Sequence, residues 1–227
     1  MSYTKNYNKL YKNLSPLIRK LYRLEVVGEE NIPEDGGIIV ASNHTALSDV
    51  LILSAASGGR QIRYMAKKEL FRTPIIAPLI KALGAFPVDR ASSDVASIKK
   101  MISIVEDGEA AGIFPQGTRR GGLDPRTTEV KPGVGMIAYR TKAPVVPVLI
   151  ENRKMKSGLF RKNRIVFGKP IYYEDLGFEN GGKAEYEAAS ALIFARICDM
   201  LSTDLLPAPT EKQALPSPTD EKGDAER

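Results

Sequence analysis

The sequence predicts an α/β domain: a mostly parallel mixed sheet covered by helices on both faces, preceded by an N-terminal amphipathic helix. Three observations carry that prediction. Short apolar runs at residues 37–41, 110–114 and 145–150 alternate with segments of helical periodicity. The runs are near-continuously apolar, the pattern of strands buried on both faces of a parallel sheet. The first 23 residues repeat apolar side chains at helical spacing with basic residues around them.

In residues 1–23 the stripe is Tyr3, Tyr7, Leu10, Tyr11, Leu14, Leu17, Ile18 and Leu21, flanked by Lys5, Lys9, Lys12, Arg19, Lys20 and Arg23. A basic amphipathic helix with interfacial tyrosines favours an anionic bilayer, the alternative being an ordinary helix that packs its stripe against the domain. The pattern leaves both open. Pro16 is expected to kink or divide this helix. The segment lacks the compact apolar centre of a cleavable signal.

The run 37–41 reads as a strand, ended by Asn43, and 50–56 as a helix with Ser48 or Asp49 as its N-cap. Residues 74–83 are strongly apolar but too short to span a bilayer, so they are core or an exposed patch. Residues 85–88 form a short strand ended by Arg90. Ser92 or Ser93 then caps a helix with Val95, Ile98, Met101, Ile102 and Val105 on one face, closed by Gly108. The strand at 110–114 leads into a turn at Pro115-Gln116-Gly117, and residues 133–141 are helical. The next strand, 145–150, contains Pro147, which calls for an edge or bulged position. A strand at 164–168 and a helix at 183–201 complete the domain. The tail carries prolines at 207, 209, 216 and 218 and no apolar periodicity. The expected organisation is an N-terminal membrane-associating helix over 1–23, a folded domain over 24–205 and a disordered tail over 206–227.

The chain has 227 residues, 43% of them hydrophobic and 26% charged, enough for one domain with a proper core. Its single cysteine, Cys198, excludes an internal disulfide and lies in an apolar helical stretch, as a buried structural thiol would. With one histidine and one cysteine, a metal cluster would have to rely on carboxylates, and no metal is expected. The net charge is +6, and the tail is acidic, so the folded part is more basic still. That surplus suits an anionic partner. Without tryptophan or interleaved basic and aromatic motifs, nucleic acid is the disfavoured partner.

His44 is the only histidine, and Asp49 follows it after four residues. Imidazole takes and returns a proton near neutral pH, and a carboxylate partner fixes its tautomer. On a regular helix, positions five apart point about 140° away from each other, so the two side chains meet only if the chain turns between them. The strand before and the helix after supply that turn. They put His44 at the C-terminal end of a strand, where open α/β sheets bind ligands. Arg90 and Arg119 also end strand segments. Guanidinium suits bidentate phosphate recognition, and the Gly117 turn lets backbone amides approach the same anion.

Four segments together resemble the lysophospholipid and glycerol-3-phosphate acyltransferase family. His44-Thr45-Ala46-Leu47-Ser48-Asp49 is similar to its H-x4-D block, and Gly84-Ala85-Phe86-Pro87-Val88-Asp89-Arg90 to its G-x-x-F-x-x-R block. Phe114-Pro115-Gln116-Gly117-Thr118-Arg119 resembles F-P-E-G-T-R, and Val145-Val146-Pro147-Val148 its V-P-V block. The resemblance covers about residues 25–170. It departs at Gln116, where the family has glutamate.

The resemblance implies a glycerol-3-phosphate acyltransferase-like fold, with His44 and Asp49 catalytic. Gly84, Phe86, Arg90, Gln116, Gly117, Thr118 and Arg119 would bind substrate. It implies transfer of a fatty acyl group to 1-acyl-sn-glycerol 3-phosphate, giving phosphatidic acid. The partners are lysophosphatidic acid or a related phosphorylated acceptor, acyl-CoA or acyl-carrier protein as co-substrate, and an anionic membrane surface; no cofactor is implied. The expected place is the cytoplasmic face of the cell membrane, held peripherally. No serine or cysteine stands beside His44 as an acylated nucleophile, so direct transfer is expected. The alternatives are another acceptor, such as glycerol 3-phosphate or a different lysolipid, and a non-catalytic basic membrane-binding protein. A hydrolase lacks support, since no G-x-S-x-G elbow is present.

Overall fold

A computed structural model describes residues 3–74, 76–88 and 94–202. In chain order the elements are α1 (Tyr3–Leu21), β1 (Leu24–Val27), β2 (Ile38–Ser42), α2 (Asp49–Ala56), β3 (Ile62–Lys67), α3 (Ile76–Ala82) and β4 (Phe86–Val88). There follow α4 (Asp94–Glu106), β5 (Ala110–Ile113), α5 (Gly133–Thr141), β6 (Val145–Glu151), β7 (Asn163–Phe167) and α6 (Lys183–Cys198). The seven strands form one sheet in the order β1-β7-β6-β2-β5-β3-β4. All neighbours are parallel except β6 and β7, so the sheet is mixed, as the sequence predicts.

The strand period of two divides the core into two layers. Ile39, Ala41, Val145 and Leu149 face one side, where Met101 and Ile104 of α4, Ile137 of α5 and Ile193 and Ile197 of α6 cover them. Ile38, Val40, Val146, Val148 and Ile150 face the other, under Ile52 and Leu53 of α2 and Ile18 of α1. Every residue of β2 is buried, because β5 and β6 flank it and helices lie above and below. Each buried valine, leucine or isoleucine contributes about 1.5–3 kcal/mol by leaving water.

The apolar stripe of α1 lies against the domain. Tyr7 and Ile18 are buried, and Leu14 and Leu21 pack on the α2 layer. Arg19 donates through Nε to Ala55 O at 2.9 Å and pairs with Glu29 at 3.0 Å, which fastens the helix further. Among the stripe residues with described side chains, Leu17 is the one left exposed. The helix runs through Pro16 undivided, with that residue exposed.

Pro147 lies in an interior strand, not at an edge, and takes the bulged alternative. Val148 pairs with Phe167 while Val145 pairs with Ile171, so residues 168–170 lie opposite only 146–147. The extra residue falls where proline has no N–H to give, and Gly168 N still donates to Pro147 O at 2.8 Å. The last helix ends at Cys198 rather than Leu201, and beyond it Ser202 N donates to the buried Glu151 carboxylate at 3.0 Å. The caps expected at Ser92 or Ser93 and the tail from 206 lie outside the described residues.

Candidate active site

The site begins where β2 stops. Asn43 is buried, and its amide continues the strand ladder in place of a peptide: Nδ2 donates to Ile150 O at 2.9 Å, and Ile150 N donates to Oδ1 at 2.7 Å. The backbone is thereby released from β6 and turns, reaching α2 at Asp49. Ser48 occupies the N-cap without a side-chain bond to the helix, and Asp49 opens the first turn, where the helix dipole favours negative charge.

Across this corner His44 Nδ1 lies 2.8 Å from Asp49 Oδ2. The Asp49 side chain has no exposed surface, and that of His44 is 17% exposed. The other partners of Asp49 are donors. Thr45 N at 2.5 Å and Ala46 N at 2.8 Å reach Oδ2; Thr45 Oγ1 at 2.9 Å and Ser157 Oγ at 2.6 Å reach Oδ1. A buried carboxylate needs such partners to remain charged. The carboxylate accepts from Nδ1–H, which assigns the neutral ring the tautomer with Nε2 unprotonated. Among the described residues Nε2 has no hydrogen-bond partner.

The turn after β5 holds the backbone of His44 from both sides. Gln116 Oε1 accepts from His44 N at 2.7 Å, and Arg120 N donates to His44 O at 2.8 Å. The ring of Phe114 stacks on the imidazole at 3.9 Å and 13°, and Tyr64 lies behind Phe114 at 5.8 Å. Tyr64 crosses Gly112, its register partner on β5; a Cβ there would stand 2.1 Å from the Tyr64 ring. Burial pushes the Tyr64 phenol well above its ordinary value, with Tyr7 and Asp49 adding to it. It stays protonated and serves as a wall. Gly121 permits another close approach, since a Cβ there would meet Thr45 O at 2.3 Å.

Gln116 sits differently from the substrate contact expected of it. It is buried, and its Nε2 donates to Thr128 Oγ1 at 2.7 Å while Oε1 holds His44. Both polar ends therefore brace the His44 loop. Gly117 has φ +67 and starts the exposed stretch that contains Thr118 and Arg119. Gly84, at φ +84, is buried against Gln61 and Arg63 before β4, and Phe86 belongs to the hydrophobic core, so neither is presented as an open contact. Arg90 lies outside the described residues.

Thr45, Phe114, Thr128 and Ser157 have roles that the sequence reading passed over. So has Arg120, whose buried Nε carries no hydrogen bond among the described residues. Phe114 stood inside a recognised block, but nothing near Ser157 in the sequence marks it. Among the described residues no three His, Cys, Asp or Glu side chains are grouped to hold a metal ion.

Comparison with known proteins identifies the family. The chain is 38% identical over 154 residues to the 1-acyl-sn-glycerol-3-phosphate acyltransferase of Bacillus subtilis, covering 67% of this chain and 75% of that protein. It is 31% identical to the Streptococcus pneumoniae protein of the same name, over 65% of this chain but only 55% of the relative. The crystal structure of the 1-acyl-sn-glycerophosphate acyltransferase from Thermotoga maritima shares the fold, with a TM-score of 0.62 at 23% identity over 84% of this chain and 81% of that one. The acyltransferase family profile matches residues 23–151, which takes in the His44–Asp49 corner and the Gln116 turn, and this chain belongs to the acyltransferase family.

Proposed function

We propose that the chain transfers a fatty acyl group from an acyl thioester to the free hydroxyl of 1-acyl-sn-glycerol 3-phosphate, giving phosphatidic acid. The observation that carries this reading is His44. One ring nitrogen is bound to a buried carboxylate that otherwise meets only donors, and the other has no hydrogen-bond partner among the described residues. The curated relatives named above support the choice of acceptor.

In the proposed reaction Nε2 takes the proton of the acceptor hydroxyl as its oxygen attacks the thioester carbonyl. The imidazolium is stabilised by the carboxylate of Asp49. The C–S bond then breaks, and the leaving thiolate takes the proton back. Arg90, Arg119 and the backbone at 117–118 hold the acceptor phosphate and so choose which hydroxyl reaches His44. Acyl-CoA or acyl-carrier protein supplies the acyl group, and no further cofactor takes part. Residues 24–205 carry this chemistry. The protein works peripherally at the cytoplasmic face of the cell membrane, a reading supported by its basic surplus.

The test is incubation of the purified chain with acyl-CoA or acyl-carrier protein and lysophosphatidic acid, following thiol release and lipid product. Phosphatidic acid formed in step with free thiol is the expected result. Preference for glycerol 3-phosphate in competition, or thiol release without lipid product, overturns the acceptor or the transfer respectively.

A further inference from the structure

Since α1 turns its stripe inward, the apolar surface available to a bilayer has to be sought elsewhere. Seven large hydrophobic side chains are exposed among the described residues, and four of them lie on three loops joined at the His44 edge of the sheet. Leu47 is in the His44–Asp49 loop, Leu123 follows the Gln116 turn, and Leu159 and Phe160 are in the loop between β6 and β7. Gly122 N donates to Met155 O at 2.9 Å, and Ser157 N donates to Thr45 Oγ1 at 3.0 Å, so the three loops form one surface.

The β6–β7 loop is built to present its tip. Asn152 Nδ2 donates to Lys156 O at 2.7 Å and to Asn163 Oδ1 at 2.9 Å. Asn163 Nδ2 in turn donates to Gly158 O at 3.0 Å and Arg161 O at 2.8 Å. Both asparagines are buried, and they hold the chain on either side of Leu159 and Phe160. Phe160 is 70% exposed and has φ +59, a region that large side chains rarely adopt, with its N–H donating to Leu21 O at 2.7 Å. Around the tip, residues 153–162 contain five bases and no acid. Arg153, Lys154, Lys156 and Arg161 are exposed without a carboxylate partner among the described residues.

We propose that the β6–β7 loop is the membrane-docking surface of this protein: Leu159 and Phe160 enter the interface of an anionic bilayer, and the surrounding lysines and arginines meet its headgroups. An apolar tip within a basic collar fits a lipid surface, which buries Leu159 and Phe160 together, whereas a nucleic-acid base would stack on Phe160 alone and leave Leu159 in water. The same loop carries Ser157, two residues before Leu159 and bonded to Asp49 Oδ1 at 2.6 Å, so docking brings the bilayer beside the His44–Asp49 pair. The inference rests on the lysolipid reading only for why a bilayer must lie there.

The experiment is co-sedimentation of the full chain with phosphatidylcholine vesicles, with and without about 30% phosphatidylglycerol. Leu159→Ser combined with Phe160→Asn should weaken binding at least about tenfold; asparagine tolerates the left-handed backbone, so folding is not at issue. Lys154→Glu and Arg161→Glu should each weaken it by roughly fivefold or more, on anionic vesicles only. The chain has no tryptophan, so Phe160→Trp gives a single reporter. Its emission should shift to the blue with vesicles and be quenched by brominated acyl chains. Undiminished sedimentation of the double variant, or a reporter that stays in water while the protein sediments, overturns the proposal. So does retention of an oligonucleotide but no vesicles. Acylation of detergent-dispersed lysophosphatidic acid is measured alongside and should be unchanged by the double variant. A chain that docks through Phe160 but acylates nothing refutes the acceptor reading and leaves the surface standing.

Discussion

The hydroxyl of Ser157 donates to Asp49 Oδ1 at 2.6 Å, from a loop 108 residues further along the chain. Ser48 Oγ lies 2.9 Å from the same hydroxyl, completing its bonding. Ser157 thus positions Asp49, and through it the ring of His44. A bond to a buried charged group contributes about 1.5–3 kcal/mol. Ser157→Ala should lower kcat by roughly 10- to 150-fold with little change in KM, and Ser157→Thr should recover part of the loss. An equal change in KM for both substrates would count against a positioning role.

His44→Ala should reduce kcat by at least about 100-fold in a protein that still unfolds cooperatively. Asp49→Asn should be comparably severe, because an amide can present Nδ2 to the ring and favour the wrong tautomer. Steady-state turnover and thermal melting, measured on the same preparations, separate the chemical loss from misfolding.

Gln116 offers a sharper contrast. Gln116→Glu keeps an acceptor for His44 N, and the Thr128 hydroxyl can serve the new oxygen by giving up its bond to Pro125 O at 2.6 Å. Activity should stay within about fivefold of the parent. Gln116→Leu removes the acceptor and leaves His44 N–H unsatisfied, which costs about 1–3 kcal/mol. That variant should lose at least about tenfold in kcat/KM and melt earlier.

Arg119 is exposed and has no ion-pair partner among the described residues, as a residue awaiting an anion would be. Arg119→Ala should raise KM for the phosphorylated acceptor by about 10- to 150-fold and leave KM for the acyl donor nearly unchanged. Matching rises for both substrates would assign the side chain to the donor's phosphates or to structure.

Burial pushes the Cys198 thiol up to about 11. The thiolate is the reactive form, so at pH 8 only about one molecule in a thousand is competent for alkylation. Labelling by iodoacetamide should be slow at pH 8 and rise about tenfold per pH unit until roughly pH 11, where it levels off. Fast labelling at neutral pH would show the thiol to be less buried than the structure has it.

What the sequence made legible was local. The β2–His44–α2 corner could be read because strand, turn and helix lie within twenty consecutive residues, and the chemistry of His44 and Asp49 requires a bend between them. The stripe of α1 is visible too, but periodicity shows that a face is apolar without showing what covers it; the structure sets Ile18 against α2 and buries Tyr7, whose hydroxyl donates to Arg60 O at 3.3 Å. Pro147 announced an irregular strand, and only the register with β7 distinguished a bulge from an edge. Ser157 had no local signal, because its meaning depends on a loop folding back over more than a hundred residues. The block around Gln116 suggests a substrate contact, and only the fold shows its two bonds to His44 N and Thr128, which brace the His44 loop.

The crossing of Tyr64 over Gly112 has a consequence for the history of such a site. Because even a methyl group at 112 would stand 2.1 Å from the ring, the two positions cannot drift independently. A lineage that replaces Gly112 must already have shrunk residue 64. The aromatic wall behind Phe114 and His44 is then lost before anything is gained, so the viable order of substitutions runs one way. Descendants of this chain that carry a side chain at 112 should also carry a smaller residue at 64, while Gly112 opposite a smaller residue is the permitted intermediate.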